Sequence, residues 1–384
     1  MSKKNYLILG VGGHGWQSLQ DFIEKSTENL ILYTTAADWG GFTGAFGRLL
    51  EENNGKLNQK LHKEILPILP WGDLNKILIH FFDQKFQENT ENILDFRSFN
   101  LTEQLSTFQK LANYLSLKED FKIEFEEYLS IFFDEINGSK KNLSTFSRPP
   151  CLGGLWQNFL YWKAGGINGW NNFYHQKGIV PANINLFFTS TQREILVGKD
   201  EFKNKLVGED EIDTQLSPVL PETLNLLSKS NFETIENPRL ISDLKNADLI
   251  IIPNGSVANW LPLCNQKNIQ KILKLKSEKK QLCWLLNLFH TKNELKITRY
   301  IEYIYSLNIY PTILAPIDLP EKPPTSIISR YEEEGKYLNL DSFEVVEKLK
   351  NISKDLHFSL ECNLGQSFKY DPEIVNTTIR KIWN

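Results

Sequence analysis

The residues best placed for chemistry fall in five short stretches, each of small or polar residues beside an apolar run. The first is LILGVGGHGWQSLQDF (7–22), in which Gly10, Gly12 and Gly15 fit the spacing G-x-G-x-x-G and Gly13 adds a fourth glycine. Between a strand and a helix, such a turn offers bare N–H groups to a phosphate at the positive end of the helix. A glycine turn without a ligand is the plainer alternative. His14, inside the turn, is either a donor to a phosphate or an exposed loop histidine. The second stretch, TTAADWGGFTGAFGRLLEENN (34–54), runs from Asp38 through Gly40, Gly41, Gly44 and Gly47 to Arg48. Asp38 suits Mg²⁺ or a ribose hydroxyl, and the forked guanidinium of Arg48 suits a phosphate. A helix cap and a solvated helix residue are the alternatives for these two.

The third stretch, ILPILPWGDLNKILIHFF (65–82), puts Gly72 and Asp73 before an apolar-periodic helix, where Asp73 reads as an N-cap. The fourth, RPPCLGGLWQNFLYWKAGG (148–166), joins a rigid turn to the pair Gly153-Gly154 and an aromatic helix. The fifth, ADLIIIPNGSVANWLPL (247–263), takes a buried strand into Asn254, Gly255 and Ser256. There Ser256 and the amides that follow either accept an anion or form a simple serine cap. A nicotinamide dinucleotide site wants an acid at the end of the second strand, to bind the ribose. NLILYTT (29–35) ends in threonines instead.

These stretches need a frame of strands. NYLILG (5–10), NLILYTT (29–35), NINLFF (183–188), EILVG (194–198), ADLIIIP (247–253), QLCWLLN (281–287) and YPTILAP (310–316) are continuous apolar runs. Continuous rather than alternating runs suit strands covered on both faces of a mostly parallel sheet. Their alternation with helical stretches predicts an α/β, Rossmann-like fold with helices on both faces. Residues 73–135 repeat apolar positions at three and four, which with the loop to 150 makes a helical insertion at about 73–150. The reading is thus a main domain over 1–320 and a small C-terminal α/β extension over 321–384, containing FEVVEKLKNI and LHFSLE.

Composition bounds the partners. The 384 residues carry 43 Lys+Arg against 47 Asp+Glu, a net charge of −4 that gives no reason to expect nucleic acid. Cys151, Cys264, Cys283 and Cys362 stand far apart with no C-x-x-C pair, as buried thiols in a reducing compartment would. No apolar run reaches the ~18 residues of a membrane span, and the first one ends at a glycine too early for a signal peptide. The expectation is a cytoplasmic protein with no membrane partner.

In their order, the five stretches resemble the 2-phospho-L-lactate transferases and gluconeogenesis factors, the CofD-like family, over about residues 5–290. That family's signposts read GGTG, ADDGGSSGRLR, PPGDIR, LGNL and ADLIxxGPGS. They match here at Gly12, Gly13, Gly15, Asp38, Gly40, Gly41, Gly44, Arg48, Gly72, Asp73, Leu152, Gly153, Gly255 and Ser256. The resemblance implies a nucleotide-diphosphate-linked ligand on those loops, with His14 and Asn254 beside it and Mg²⁺ at Asp38 as the catalytic carboxylate. Its transferase members move a phospholactate group from a guanosine diphosphate carrier to a deazaflavin precursor. Its gluconeogenesis-factor branch binds nucleotide sugars of the UDP-N-acetylglucosamine type in a regulatory role. His14 stands where the family has Thr, Trp39 replaces the second acid, Asn75 an arginine and Gly154 an asparagine. One lost carboxylate halves a metal site, yet Mg²⁺ is commonly held by one or two carboxylates with substrate phosphates and water. A transferase-like binder of a nucleotide diphosphate, a catalytically silent regulator and a nicotinamide oxidoreductase are the readings carried forward. A homodimer is left open as the assembly.

Overall fold

The computed structural model describes residues 3–37, 69–137, 149–192, 194–208, 211–212, 217–228, 232–286, 289–291, 295, 297–316, 338–340, 349–353, 355–363 and 369–383. In chain order it begins with β1 (Asn5–Leu9), α1 (Gly13–Glu24) and β2 (Asn29–Thr34). Among the described residues, six helices follow: α2 (Gly72–Phe86), α3 (Glu91–Leu94), α4 (Leu101–Tyr114), α5 (Glu119–Asn137), α6 (Leu152–Lys163) and α7 (Ile167–Gln176). Next come β3 (Ile184–Phe188), β4 (Glu194–Lys199), β5 (Lys205–Val207), β6 (Asn225–Ser228), α8 (Pro238–Asn246) and β7 (Leu249–Ile252). The chain continues through α9 (Leu261–Cys264), α10 (Lys267–Glu278), β8 (Leu282–Leu285), β9 (Phe289–Thr291), α11 (Ile297–Ser306) and β10 (Thr312–Pro316). Later elements include β11 (Leu338–Leu340), β12 (Leu356–Leu360) and α12 (Pro372–Trp383). The chain divides into two compact units, one of residues 1–37, 187–190 and 194–384, the other of 38–186 and 191–193.

The first unit carries the expected α/β architecture. Seven strands form one sheet in the order β12-β10-β8-β7-β1-β2-β3, and every pairing from β12 to β2 is parallel. Every residue of β7, β8 and β10 is buried. Successive strand residues point to opposite faces, so both faces of the sheet are covered there. This is why the strands read as unbroken apolar runs. Each such Ile or Leu taken out of water contributes about 1.5–3 kcal/mol before entropy is charged. Strand order reverses between β1 and β7: β1, β2 and β3 run one way across the sheet, and β7, β8, β10 and β12 the other. That reversal is the topological switch point, where an open α/β sheet leaves a crevice at its carboxyl edge.

Two expectations change. EILVG (194–198) was expected among the main strands, but β4 is the middle of a separate antiparallel sheet, β5-β4-β6. A short apolar run looks the same in either sheet, since periodicity does not report the partner. The stretch read as a C-terminal extension supplies β12, which pairs in parallel with β10 at the edge of the main sheet. It also supplies α12, whose Arg380 donates to Lys25 O at 3.0 Å and stacks 5.8 Å from the Phe22 ring of α1. Lys4 Nζ in turn donates to Trp383 O at 3.1 Å.

The second unit is helical, and its helices continue past the expected end of the insertion near 150, through α6 and α7. Phe108, Phe125, Trp156 and Phe159 form its aromatic centre, with Phe108 and Phe125 centroids 4.4 Å apart. A buried polar chain runs beside them. Gln157 Oε1 accepts from both Trp170 Nε1 and Tyr174 Oη at 2.9 Å, and Trp156 Nε1 donates to that same Tyr174 oxygen at 2.9 Å. Satisfying these groups is what makes their burial tolerable. No helix among the described residues is long and apolar enough to cross a membrane. Cys151, Cys264 and Cys283 are free and buried, and burial pushes the Cys151 thiol up to about 11 and that of Cys264 to about 12.

Candidate functional site

The glycine turn leaves β1 at the switch point. Gly10 takes φ +79, a left-handed conformation that favours glycine, and its N–H and that of Val11 both donate to Tyr33 O, at 3.0 and 2.9 Å. Tyr33 is itself anchored, its phenol donating to Asp243 of α8 at 2.7 Å. A Cβ on Gly10 would stand 2.9 Å from Trp260 Cβ, so nothing larger fits without a shift. Gly12 is the N-cap of α1, with no side chain to cap the amides that follow and no acid in the first turn. Trp16 N–H donates to Gly12 O at 2.9 Å, which leaves the amides of Gly13, His14 and Gly15 ahead of the helical ladder. Such an end carries partial positive charge toward an anion.

The loop after β7 meets this turn directly. A Cβ on Gly15 would lie 2.8 Å from Asn254 O and 2.8 Å from Pro253 Cβ. Gly255 follows at φ +150, another conformation reserved for glycine. Ser256 caps a 3-10 turn, its Oγ accepting from Ala258 N–H at 3.3 Å, so the serine-cap reading holds. Trp260 is 2% exposed and stands edge-on to Trp284 of β8, with ring centroids 5.0 Å apart. Around this junction four buried polar atoms have no hydrogen-bond partner: Thr34 Oγ1, Asn254 Oδ1, Trp260 Nε1 and Trp284 Nε1.

No protein-family model and no curated protein matches the sequence. Two crystal structures of protein BH3568 from Bacillus halodurans, one described as a member of the UPF0052 family, align with 99% of this chain and 100% of theirs. Their TM-scores are 0.61 and 0.62, at 16% sequence identity. This chain has the UPF0052 fold. At such identity the likeness is one of architecture, and the side chains at the switch point must be argued from this molecule alone.

In this UPF0052-like chain, the exit of β2 is tied to that of β3. Thr189 N–H donates to Thr34 O at 2.8 Å, Ala36 N–H to Thr189 Oγ1 at 3.0 Å, and Asn237 Nδ2 to Thr189 O at 3.2 Å. Glu194, at the start of β4, buries its carboxyl here. Desolvation pushes it up to about 8, although hydrogen bonds from Thr189 and Ser190 pull the other way. Asp38, Gly40, Gly41, Gly44 and Arg48 lie outside the described residues, as does the side chain of His14. Among the described residues, no group of three or more His, Cys, Asp or Glu could hold a metal ion. The Mg²⁺ expectation therefore rests on Asp38.

Gly72, Asp73 and Gly153 belong to the second unit. Asp73 was expected at the N-cap, but the cap lies two residues earlier, at Trp71, and α2 opens at Gly72. Asp73 instead sits buried in the first turn, 3.6 Å from Lys76 Nζ, where a carboxylate meets the positive helix end. Gly153 has a packing reason of its own. A Cβ there would lie 2.2 Å from Leu94 O and 2.6 Å from Asn75 Oδ1, while Asn75 Nδ2 donates to Leu94 O at 3.2 Å. The residues that sequence reasoning passed over are Trp260, Trp284 and Glu194. A tryptophan inside an apolar run reads as core. Only the neighbouring Asn254-Gly255-Ser256 hinted that Trp260 lies at a strand end.

Proposed function

We propose that this chain binds a nucleotide-diphosphate-linked small molecule at the carboxyl edge of its main sheet, as a 2-phospho-L-lactate transferase-like protein of the CofD-like family. The observation that carries this is the close approach of Gly15, in the glycine turn, to the Asn254 carbonyl and the Pro253 ring across the switch point. It brings an uncapped helix start, Gly12 to Gly15, beside a second glycine loop, in the crevice where α/β sheets take nucleotides. The likeness to a UPF0052 structure supports it, since UPF0052 is the CofD-like, gluconeogenesis-factor family.

In this reading the diphosphate oxygens accept from the amides of Gly13, His14 and Gly15, where the helix end offsets their charge. The resemblance adds Arg48, whose guanidinium suits a phosphate, and Gly40, Gly41 and Gly44, all outside the described residues. Asp38 is the residue that would hold Mg²⁺, and the ion, when bound, would supply neutralisation of charge on a leaving diphosphate. Ser256 is the remaining residue of the first unit carried by the resemblance; Gly72, Asp73 and Gly153, also carried by it, belong to the second unit. A second reading is a non-catalytic regulator that binds a nucleotide sugar, favoured by Trp39 standing where the family keeps its second acid. The test is a thermal-shift and calorimetric screen of UDP-, GDP- and NADP-type ligands, with and without Mg²⁺, followed by turnover assays of any donor that binds. Stabilisation by UDP or GDP compounds is expected, because a ligand bound only by the native state raises its melting point. Stabilisation by NADP alone, or by none of the ligands, overturns the proposal. Tight binding of a nucleotide sugar without turnover selects the regulator.

A further inference from the structure

We infer that Glu194 is a positioning residue for the ligand site, which through the Thr189 hydroxyl holds the exits of β2 and β3, and that ionising its carboxyl releases them and weakens anion binding. The inference rests on the phosphate-binding reading of the glycine turn and adds a residue that does not touch the ligand. Hydrogen bonds connect Glu194 to the glycine turn step by step, all inside the first unit. Tyr33 O, in β2, accepts from the N–H groups of Gly10 and Val11 at 3.0 and 2.9 Å. One residue on, Thr34 O accepts from Thr189 N–H at 2.8 Å, and Ala36 N–H donates to Thr189 Oγ1 at 3.0 Å. Thr189 thus grips the exit of β2 at two points, one of them its hydroxyl. That hydroxyl and the one on Ser190 also bond the Glu194 carboxyl. A hydroxyl has one proton and two lone pairs, so that of Thr189 serves Ala36 and Glu194 at once.

Glu194 opens β4 opposite Ser228 of β6 and is 1% exposed. Among the described residues no charged side chain acts on its carboxyl. Lys199 of β4 and Glu233 beyond β6 leave its titration unmoved. So do Arg239, Asp243 and Lys245 of α8, the helix tied to the β3 exit where Asn237 Nδ2 donates to Thr189 O at 3.2 Å. Burial therefore decides, and the carboxyl holds its proton up to about pH 8. A carboxylate formed there has hydroxyl donors alone in a dry site, and water solvates it better. Turning to water takes it away from Thr189. The hydroxyl that held Ala36 then loses its own support, and the β2 exit that anchors the glycine turn loosens with it.

The test is isothermal titration of the full chain with UDP, GDP and inorganic pyrophosphate at steps from pH 7 to 9. The proteins are wild type, Glu194→Gln, Thr189→Ser and Thr189→Val, each verified as folded at every pH by circular dichroism. The titration of the probe itself is common to all four, so affinities are read as a ratio to Glu194→Gln, which cannot ionise. If only the neutral form binds, the competent fraction falls from about nine-tenths at pH 7 to one-tenth at pH 9. The wild-type ratio is therefore expected to fall about tenfold across that range. Thr189→Ser, which keeps the hydroxyl, should follow wild type, and Thr189→Val should lose most of the fall. The inference is overturned if wild type and Glu194→Gln share one pH profile, or if Thr189→Val retains the wild-type fall. If wild type binds none of the three probes at any pH, the phosphate reading itself fails, and this inference with it.

Discussion

Replacing Gly15 with alanine sets two local effects of opposite sign against each other. Gly15 is the third residue of α1, and an alanine there should favour the helix by about 0.5–1 kcal/mol. The added methyl, however, would stand 2.8 Å from Asn254 O and from Pro253 Cβ, and 3.0 Å from Pro253 Cγ. Ordinary contacts begin near 3.4 Å, so the loop must retreat by several tenths of an ångström, against a backbone oxygen and a rigid ring that cannot rotate aside. Overpacking of this kind costs about 1–3 kcal/mol. The net expectation is a loss of up to about 2.5 kcal/mol, with weaker nucleotide binding because the two loops no longer meet at the same spacing. Urea denaturation followed by tryptophan emission measures the first quantity, and calorimetry the second. A variant more stable than the parent by about 0.5–1 kcal/mol shows that helix propensity acts alone. The close approach of α1 to the β7 loop, and the site built on it, would then be wrong.

Four further outcomes are expected. Glu194 ionises near 4.5 when unfolded and near 8 in the fold, so between those values the unfolded chain holds fewer protons and stability falls as pH rises. Glu194→Gln should flatten that slope between about pH 5 and 8, and thermal melts that stay parallel across the range would refute it. Gly153→Ala should cost about 2–4 kcal/mol by driving a methyl into Leu94 O and the Asn75 amide, measured by urea denaturation. Adding Asn75→Ala should not rescue it, since Leu94 O remains in the way. Asp38→Asn should abolish any Mg²⁺-dependent transfer while Mg²⁺-free ligand binding falls only slightly; unchanged turnover makes Asp38 structural. Ser256→Ala removes a cap and should cost about 0.5–1 kcal/mol in thermal unfolding.

The strands of the main sheet were legible because burial on both faces writes itself as an unbroken apolar run, as in LIII of β7 and LCWL of β8. What the pattern does not encode is pairing. The run at β4 says "buried strand", and whether its neighbours are parallel depends on residues far away in sequence. The same holds for β12, where LHFSL gave a strand but not its place beside β10. The glycines of the site were legible because few residues other than glycine tolerate φ +79 or +150. Their partners were not, because Gly15 is explained by Pro253 and Asn254, and Gly153 by Leu94 and Asn75. The cap was misplaced by two positions, at Asp73 instead of Trp71, because an acid before an apolar run suits the first turn of a helix as well as its cap. Trp260 stayed hidden because an indole has one polar atom on a large apolar ring, and sequence cannot say which end matters.

The adjacency of β1 and β7 sets a schedule for the site during synthesis. The glycine turn leaves the ribosome roughly 240 residues before Pro253 and Asn254, a delay of about 12–50 s at the usual 5–20 residues per second. Until then α1 has no wall on its β7 side, and loop-closure entropy keeps so distant a pairing from forming early. A truncated product that ends before β7 therefore retains the glycine signature without the crevice.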